Sequence, residues 1–166
     1  MHDRYKEARW VMAIGYLGFA AAICGGDLLI KDYVRENIAE RSRKSLAGNR
    51  IILTKFFNKG AMLGAMSDNP ELLKGMTIFG VGSLAGAWMS LSGKRGHRLQ
   101  KLGLSMMLGG AASNAYERLK YGKVTDYIRF NVGTEKFRNV VYNAGDLAVF
   151  AGTLLLMLGE GLTPER

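Results

Sequence analysis

An aspartate interrupts the longest apolar stretch of the sequence. Residues 139–159 contain no charged residue except Asp146. A carboxylate in such surroundings is unfavourable unless it is paired, hydrogen-bonded or protonated, and ionisable residues inside membrane-spanning segments mark functional sites by default. A second carboxylate close to Asp146 would share one proton with it, which places an acid and a base side by side.

Four apolar stretches predict an all-α membrane protein with four transmembrane helices. Besides the stretch around Asp146, three others of 15 to 19 residues carry no charge at all. A bilayer core of about 30 Å requires roughly 20 helical residues, and somewhat fewer where flanking residues snorkel. One integral membrane domain is therefore expected over residues 1–166, with spans at about 10–29, 72–92, 99–118 and 139–160.

Composition alone also fits a soluble, glycine-rich helical protein, because the mean hydropathy is only +0.01. The 22 glycines, however, concentrate in the apolar stretches, as in IFGVGSLAGAW. Small residues allow close packing of membrane helices, whereas so much glycine would destabilise helices in water. The distribution therefore favours the membrane class.

The net charge of +9 raises the possibility of nucleic-acid binding. The basic residues lie between the apolar stretches and form no recognition motif, so anionic lipid head groups explain them better, and no nucleic-acid partner is expected. A single cysteine, Cys24, and two histidines far apart in the chain, His2 and His97, predict neither disulfides nor a metal site.

The connecting segments predict a small β-sheet at the membrane surface. Four crossings put both termini on one side and segments 30–70 and 119–138 on the other. Within them, NRIILTKFFNKGAMLGAM (49–66) and KVTDYIRFNVG (123–133) are typical of short strands, the first with a turn near Asn58. Only eight of the 23 basic residues fall on the side of the termini, so charge leaves the orientation open.

This topology collects the candidate polar residues at one interface. Asp27 and Lys31 are four residues apart, as are Asn114 and Arg118, so each pair shares a helix face. The others are Asn58, Asp126, Asn143 and Asp146. Taken singly, several candidates also have a structural explanation. Asp27–Lys31 fits an ordinary helix-end ion pair, Asn114 a contact between packed helices, and Asp126 a solvated surface carboxylate. Residues with such separate structural roles should be spread over both membrane faces.

Five blocks in this order resemble the lipoprotein signal peptidases (signal peptidase II) of bacteria, which are four-span membrane aspartic peptidases. The blocks are D-L-L-I-K (27–31), F-N-K-G-A-M-L-G (57–64), G-G-A-A-S-N-A-Y-E-R (109–118), G-K-V-T-D-Y-I (122–128) and Y-N-A-G-D (142–146). The family usually has D-Q-x-S/T-K in the first block and D-R where this chain has Glu117-Arg118. The chain is thus similar to a divergent member.

The resemblance implies that Asp126 and Asp146 are the catalytic pair. The implied supporting or substrate-binding residues are Asp27, Lys31, Asn58, Asn114, Arg118 and Asn143. It further implies an extracytoplasmic β-cradle, both termini in the cytoplasm, and a site at the outer leaflet of the bacterial cytoplasmic membrane. No cofactor and no metal are expected, and the implied partners are membrane lipids and a prolipoprotein that carries diacylglyceryl-cysteine.

The implied reaction is cleavage just before the lipidated cysteine by a water molecule that the aspartate pair activates, with the chain acting as a monomer. Two alternatives stay open. Glu117 and the altered first block fit a catalytically impaired relative that binds lipidated signal peptides. A small ion or proton carrier would use the buried Asp146, although the second span has no charged residue to continue a path.

Overall fold

The computed structural model describes residues 2–60 and 68–162, with side chains described from Val11 onward. The last third of the predicted strand segment, residues 61–66, lies outside the described part, as does the end of the block at 57–64. The described chain contains, in order, α1 (His2–Asn37), β1 (Lys44–Leu46), β2 (Ile51–Asn58), α2 (Pro70–Ser92), α3 (Arg98–Tyr121), β3 (Val124–Phe130), α4 (Glu135–Arg138), β4 (Val141–Tyr142) and α5 (Ala144–Gly161).

Three of the described helices are long and apolar enough to cross a membrane: α1 over Val11–Asn37, α2 and α5. Their outward faces carry large apolar side chains, for example Phe79 at 77% exposure and Leu29 at 71%. Faces of this kind suit lipid rather than water. The chain is therefore mostly helical and membrane-embedded, and the crossing by all four predicted spans stays a prediction.

Helix α3 differs from the others because it is polar and lies in the centre. It packs against α1, α2 and α5. Its buried residues include Gln100, Lys101, Ser105, Ser113 and Glu117. Neighbouring helices shield these groups from the surroundings, so α3 does not need an apolar surface of its own.

Glycines set the close approach of α3 to α5. A Cβ atom on Gly103 would lie 2.5 Å from the carbonyl oxygen of Gly152, and one on Gly110 would overlap the carbonyl oxygen of Gly145. Backbones this close leave no room for a methyl group, which is how small residues let membrane helices pack. The contact fixes the first turn of α5 against the middle of α3.

The predicted small sheet is confirmed as a four-stranded antiparallel sheet in the order β1-β2-β3-β4. A β-bulge interrupts the β2–β3 pairing between the pairs Leu53–Ile128 and Phe56–Asp126, where two residues of β2 lie opposite one residue of β3. A bulge increases twist and re-aims the side chains beyond it. Phe56, Asn58 and Asp126 lie on the far side of this bulge and line one cavity.

Short connections tie the sheet to the helices. Helix α3 ends at Tyr121 and is capped by Gly122, whose φ of +68° suits glycine and whose N–H donates to the carbonyl of Arg118 at 3.0 Å. Strand β3 starts two residues later. Strand β4, which pairs with β3, ends at Tyr142, and α5 starts two residues later at Ala144. Each aspartate of the predicted pair therefore follows a tight junction between a helix and the sheet.

Candidate active site

Asp146 lies in the first turn of α5. Asn143 caps this helix: its side-chain oxygen accepts from the N–H of Asp146 at 2.8 Å, and the Asp146 carboxylate accepts from the N–H of Asn143 at 3.1 Å. This reciprocal arrangement satisfies two main-chain donors at the helix start. The apolar stretch that begins at 139 thus becomes helical only at Ala144, which brings Asp146 close to the sheet.

Asp126 lies on β3 and is 2% exposed. Its two carboxylate oxygens accept from Nδ2 of Asn143 at 2.7 Å and from Nδ2 of Asn58 at 3.1 Å. Burial raises the pKa of Asp126 to about 7, and the nearby charge of Asp146 contributes to the rise, whereas the two amide donors oppose it. Near neutral pH this carboxyl group is therefore present in both its protonated and its ionised form.

Asn143 joins the two carboxylates. Because its side-chain oxygen accepts the main-chain N–H of Asp146, its amide nitrogen must point the other way, to Asp126. Asn58 is oriented in a similar way, since its oxygen accepts from the N–H of Gly60 at 3.1 Å. Main-chain donors cannot change role, so both amides are fixed as donors to Asp126.

A buried network orients the side-chain amide of Asn114, which donates to Asp146. Asn114 donates to Oδ1 of Asp146 at 2.8 Å and accepts from Nζ of Lys31 at 2.6 Å. Lys31 is fully buried and pairs with Asp27 at 2.8 Å. Since an ammonium group only donates, Lys31 fixes the Asn114 oxygen and thereby turns the amide nitrogen towards Asp146.

Two residues of this network were not predicted from the sequence. Ser113 donates to Asp27 at 2.6 Å and accepts from Lys31, and the Tyr127 hydroxyl donates to the other oxygen of Asp27 at 2.9 Å. Burial and the charge of Asp27 raise the pKa of Tyr127, so it stays a donor. The same hydroxyl accepts from the N–H of Ala144, which links Asp27 to the start of α5. Only the position of Tyr127 beside Asp126 in the sequence hinted at such a role.

Glu117, a departure from the family pattern, has a structural task. Its carboxylate accepts from the main-chain N–H of Thr125 at 2.7 Å and from the Thr125 hydroxyl at 2.8 Å, and it forms an ion pair with Arg35. Thr125 directly precedes Asp126. Glu117 therefore anchors β3 to α3 next to one aspartate and does not enter the site itself.

The Arg118 side chain extends from α3 to α2 and to the chain that follows β2. Its guanidinium donates to the carbonyl of Gly60 at 3.2 Å and to the Thr77 hydroxyl of α2 at 3.3 Å. Its Nε is buried and has no partner among the described residues. The guanidinium therefore holds the chain after β2 against α2, while its buried Nε–H stays unpaired within the described part of the chain.

The two aspartates face one cavity of about 1190 Å³. Asn58, Asn114, Arg118 and Asn143 also line it, together with apolar residues of α2 and α5. Asp27 and Lys31 lie behind this wall and act through Asn114. Among residues 11–60 and 68–162, no group of three or more histidine, cysteine, aspartate and glutamate side chains is arranged to hold a metal ion.

A family model described as Signal peptidase (SPase) II matches residues 19–160 of the chain. The protein belongs to the signal peptidase II family. This confirms the resemblance predicted from the five blocks, and it makes the protein a relative of lipoprotein signal peptidases, which are proteases.

Curated relatives agree over most of the chain. A lipoprotein signal peptidase of Moorella thermoacetica is 28% identical over 141 residues, 85% of this chain and 89% of that protein. One of Burkholderia multivorans is 31% identical over 147 residues, 87% of this chain and 86% of that protein. One of Burkholderia ambifaria is 30% identical over 146 residues, 87% and 86% of the two chains.

Solved structures share the fold. A bacterial membrane enzyme determined by the in meso method superposes with a TM-score of 0.77 over 92% of this chain and 93% of that one, at 18% identity. A second bacterial membrane enzyme structure, also determined by the in meso method, gives a TM-score of 0.76 over 90% of this chain and 94% of that one, at 18% identity. The chain thus shares the fold of a bacterial membrane enzyme over nearly its whole length.

Proposed function

We propose that the protein is a membrane aspartic endopeptidase that removes the signal peptide from diacylglyceryl-modified prolipoproteins by cleaving just before the lipidated cysteine. The observation that carries this proposal is the pairing of Asp126 and Asp146 through Asn143 at the wall of one cavity. Membership of the signal peptidase II family supplies the substrate class. No metal or nucleophilic side chain is needed for this chemistry.

The reaction divides the roles of acid and base between the aspartates. With its pKa near 7, Asp126 holds the shared proton in the resting state, and Asp146 is then the ionised partner. Asp146 takes a proton from a bound water, which attacks the scissile carbonyl. Asp126 donates a hydrogen bond to the developing oxyanion and later gives its proton to the leaving amine.

The free edge of β2 offers a place for the substrate backbone. Strand β1 pairs with β2 only as far as Leu53, and the N–H of Arg41 donates to the carbonyl of Lys55. The residues that follow on this open edge, 56–60, all line the cavity. Consecutive lining residues indicate that the strand presents its edge, and not just one face, to the cavity. An extended peptide added there would pass Asn58 and so reach Asp126.

The membrane arrangement completes the proposal. Four crossings, with α3 shielded by the other three helices, would put both termini on one side of the membrane. The family resemblance implies that this side is the cytoplasm and that the sheet lies at the outer leaflet of the cytoplasmic membrane. The signal peptide would lie between helices in the bilayer, and its cleavage site would emerge at the level of the sheet. The lipid-anchored cysteine then stays at the membrane surface, and the chain works as a monomer.

The test is cleavage of a synthetic precursor that carries diacylglyceryl-cysteine by the purified chain, followed by mass spectrometry. We expect a product that begins with the lipidated cysteine, and no product from Asp126→Asn or Asp146→Asn variants that remain folded in detergent. Full activity of both variants would refute the aspartate mechanism. Binding of the precursor by the wild type without any cleavage would instead favour the catalytically impaired relative.

A further inference from the structure

The charges around the cavity are strongly one-sided. Six cationic side chains line it: Arg41, Arg43, Lys55, Lys59, Arg118 and Arg129. Within the described part of the chain, Asp126 and Asp146 are its only carboxylates, and both belong to the proposed reaction. Outside the catalytic centre, the cavity wall therefore presents positive charge alone.

Three of these cations have no side-chain partner among the residues that the structure describes. Lys55 donates to the carbonyl of Arg35, and Arg129 to the carbonyl of Arg138. Arg118 is held by Gly60 and Thr77. By contrast, no hydrogen bond or ion pair involves the side chains of Arg41, Arg43 and Lys59 in the described residues, and all three are exposed. They are free to bind an anionic group from outside.

The backbone holds Arg41 at the cavity. Arg41 has a φ of +60°, an unfavourable conformation for a residue with a side chain. Its main-chain N–H donates to the carbonyl of Lys55 at 2.9 Å, which fixes it beside β2. Arg43 directly precedes β1, whose first residue, Lys44, pairs with Leu53. The segment that carries both arginines therefore closes the edge of β2 at Lys55, and a peptide added at residues 56–60 would leave the strand there and meet their side chains.

The spacing along β2 locates the part of the substrate that they meet. Lys55 is three residues from Asn58, and Thr54 is four. At about 3.3 Å per residue, Arg41 and Arg43 lie roughly 10 and 13 Å along the strand from the catalytic end. The signal peptide occupies the bilayer, so the portion that extends along the sheet, away from the helices, is the mature chain after the cysteine.

We infer that Arg41 and Arg43 form a specificity site for acidic side chains at about the third and fourth residues after the lipidated cysteine. This inference rests on the proposed function, because it takes the mature segment of a prolipoprotein as the occupant. Carboxylates there meet two unpaired guanidinium groups, whereas lysines in the same places meet like charge. Lys59, near Asn58, extends the positive field towards the scissile bond.

The test compares three lipidated precursors with one signal peptide and with Asp-Asp, Asn-Asn or Lys-Lys at those two residues. Cleavage is measured in zwitterionic micelles. Wild type should cut the Asp-Asp precursor roughly tenfold more efficiently, in kcat/KM, than the Lys-Lys one, as two exposed charge pairs allow, and high salt should reduce the difference. An Arg41→Glu/Arg43→Glu variant should reverse the order.

The matched control is Lys94→Glu/Arg98→Glu, which makes the same change in net charge at the opposite end of the helix bundle and should keep the wild-type order. Equal cleavage of all three precursors by wild type would overturn the inference and leave the proposed function intact. A loss of activity in the arginine variant that is the same for all precursors and appears only with added phosphatidylglycerol would assign the arginines to lipid, which also overturns it.

Binding separates the two proposals if wild type cuts no precursor. The same three precursors are titrated against wild type and the arginine variant by fluorescence anisotropy. Tighter binding of Asp-Asp than of Lys-Lys, reversed in the variant, would uphold the specificity site while the peptidase proposal fails. Equal binding would reject both.

Discussion

Nδ2 of Asn143 donates to Oδ1 of Asp126 across 2.7 Å, although the two residues belong to different elements. The same asparagine caps α5 and binds the main chain of Asp146. A single side chain thus sets the position of both carboxylates. In the proposed mechanism, this makes the helix cap part of the catalytic geometry.

Asn143→Ala should therefore reduce activity far more than stability. Loss of a helix cap removes about 1 kcal/mol, and loss of a hydrogen bond to a buried carboxylate about 1.5–3 kcal/mol. We expect kcat to fall by roughly a hundredfold or more, because both aspartates lose their alignment. Cleavage kinetics and thermal unfolding in detergent check this. Asn69→Ala, which removes only the cap of α2, is the control and should retain activity.

The pH dependence of stability should report the protonation of Asp126. Its pKa is about 7 in the folded chain and near 3.8 when unfolded, so the folded state binds more protons between these values and loses stability as pH rises through them. The full effect of about three pKa units is on the order of 4 kcal/mol. Between pH 5 and pH 8, the Tm of wild type should fall relative to that of Asp126→Asn, and a constant difference would contradict the assignment.

The activity profile should follow the same group. If Asp126 supplies the shared proton, kcat/KM should decline as pH rises above about 7, where this proton is lost. The measurement is precursor cleavage from pH 5 to 9 under conditions where wild type remains folded. A rate that is flat to pH 9 would show that no proton with this pKa takes part.

Removal of only one charge of the buried Asp27–Lys31 pair should strongly destabilise the protein, and removal of both should cost less than the two single changes together. Both side chains are fully buried, so Lys31→Met leaves a carboxylate without its cation and should cost about 3–5 kcal/mol. The double variant Asp27→Asn/Lys31→Met should be less destabilised than the sum of the two single variants. The exposed pair Glu71–Lys74 is the control, and breaking it should change stability by less than about 1 kcal/mol.

Gly110→Ala should separate α5 from α3. The added Cβ would overlap the carbonyl oxygen of Gly145, and no side-chain rotation can relieve a clash between two backbones. We expect a loss of about 1–3 kcal/mol in stability together with reduced cleavage, since α5 carries Asp146. Gly82→Ala on α2 is the matched control: its Cβ would have no atom within 4 Å, so stability should stay the same or rise. Equal losses in both variants would contradict the close-contact explanation.

The sequence by itself determined the class of the protein and indicated which polar residues are candidates for the site. Apolar stretches of fixed length and β-branched segments depend on local composition, and the five blocks are read directly from the residue order. They gave the helices, the small sheet and the signal peptidase II family. An aspartate in an apolar stretch, Asp146, pointed to the site for the same reason, because an unpaired carboxylate there is unfavourable.

Only the tertiary structure decided how these residues act on one another. The roles of Ser113 and Tyr127 depend on contacts 86 and 100 residues away in the chain, which no local pattern contains. Glu117 looked like a defect in a motif, yet it anchors Thr125 beside Asp126. Amide direction at Asn143 and Asn58 is set by main-chain donors only three and two residues away, but Asp126, which accepts from both amides, comes within reach only when sheet and helices meet. Hydrogen bonds are short-range and directional, so their partners are fixed by packing and not by sequence order.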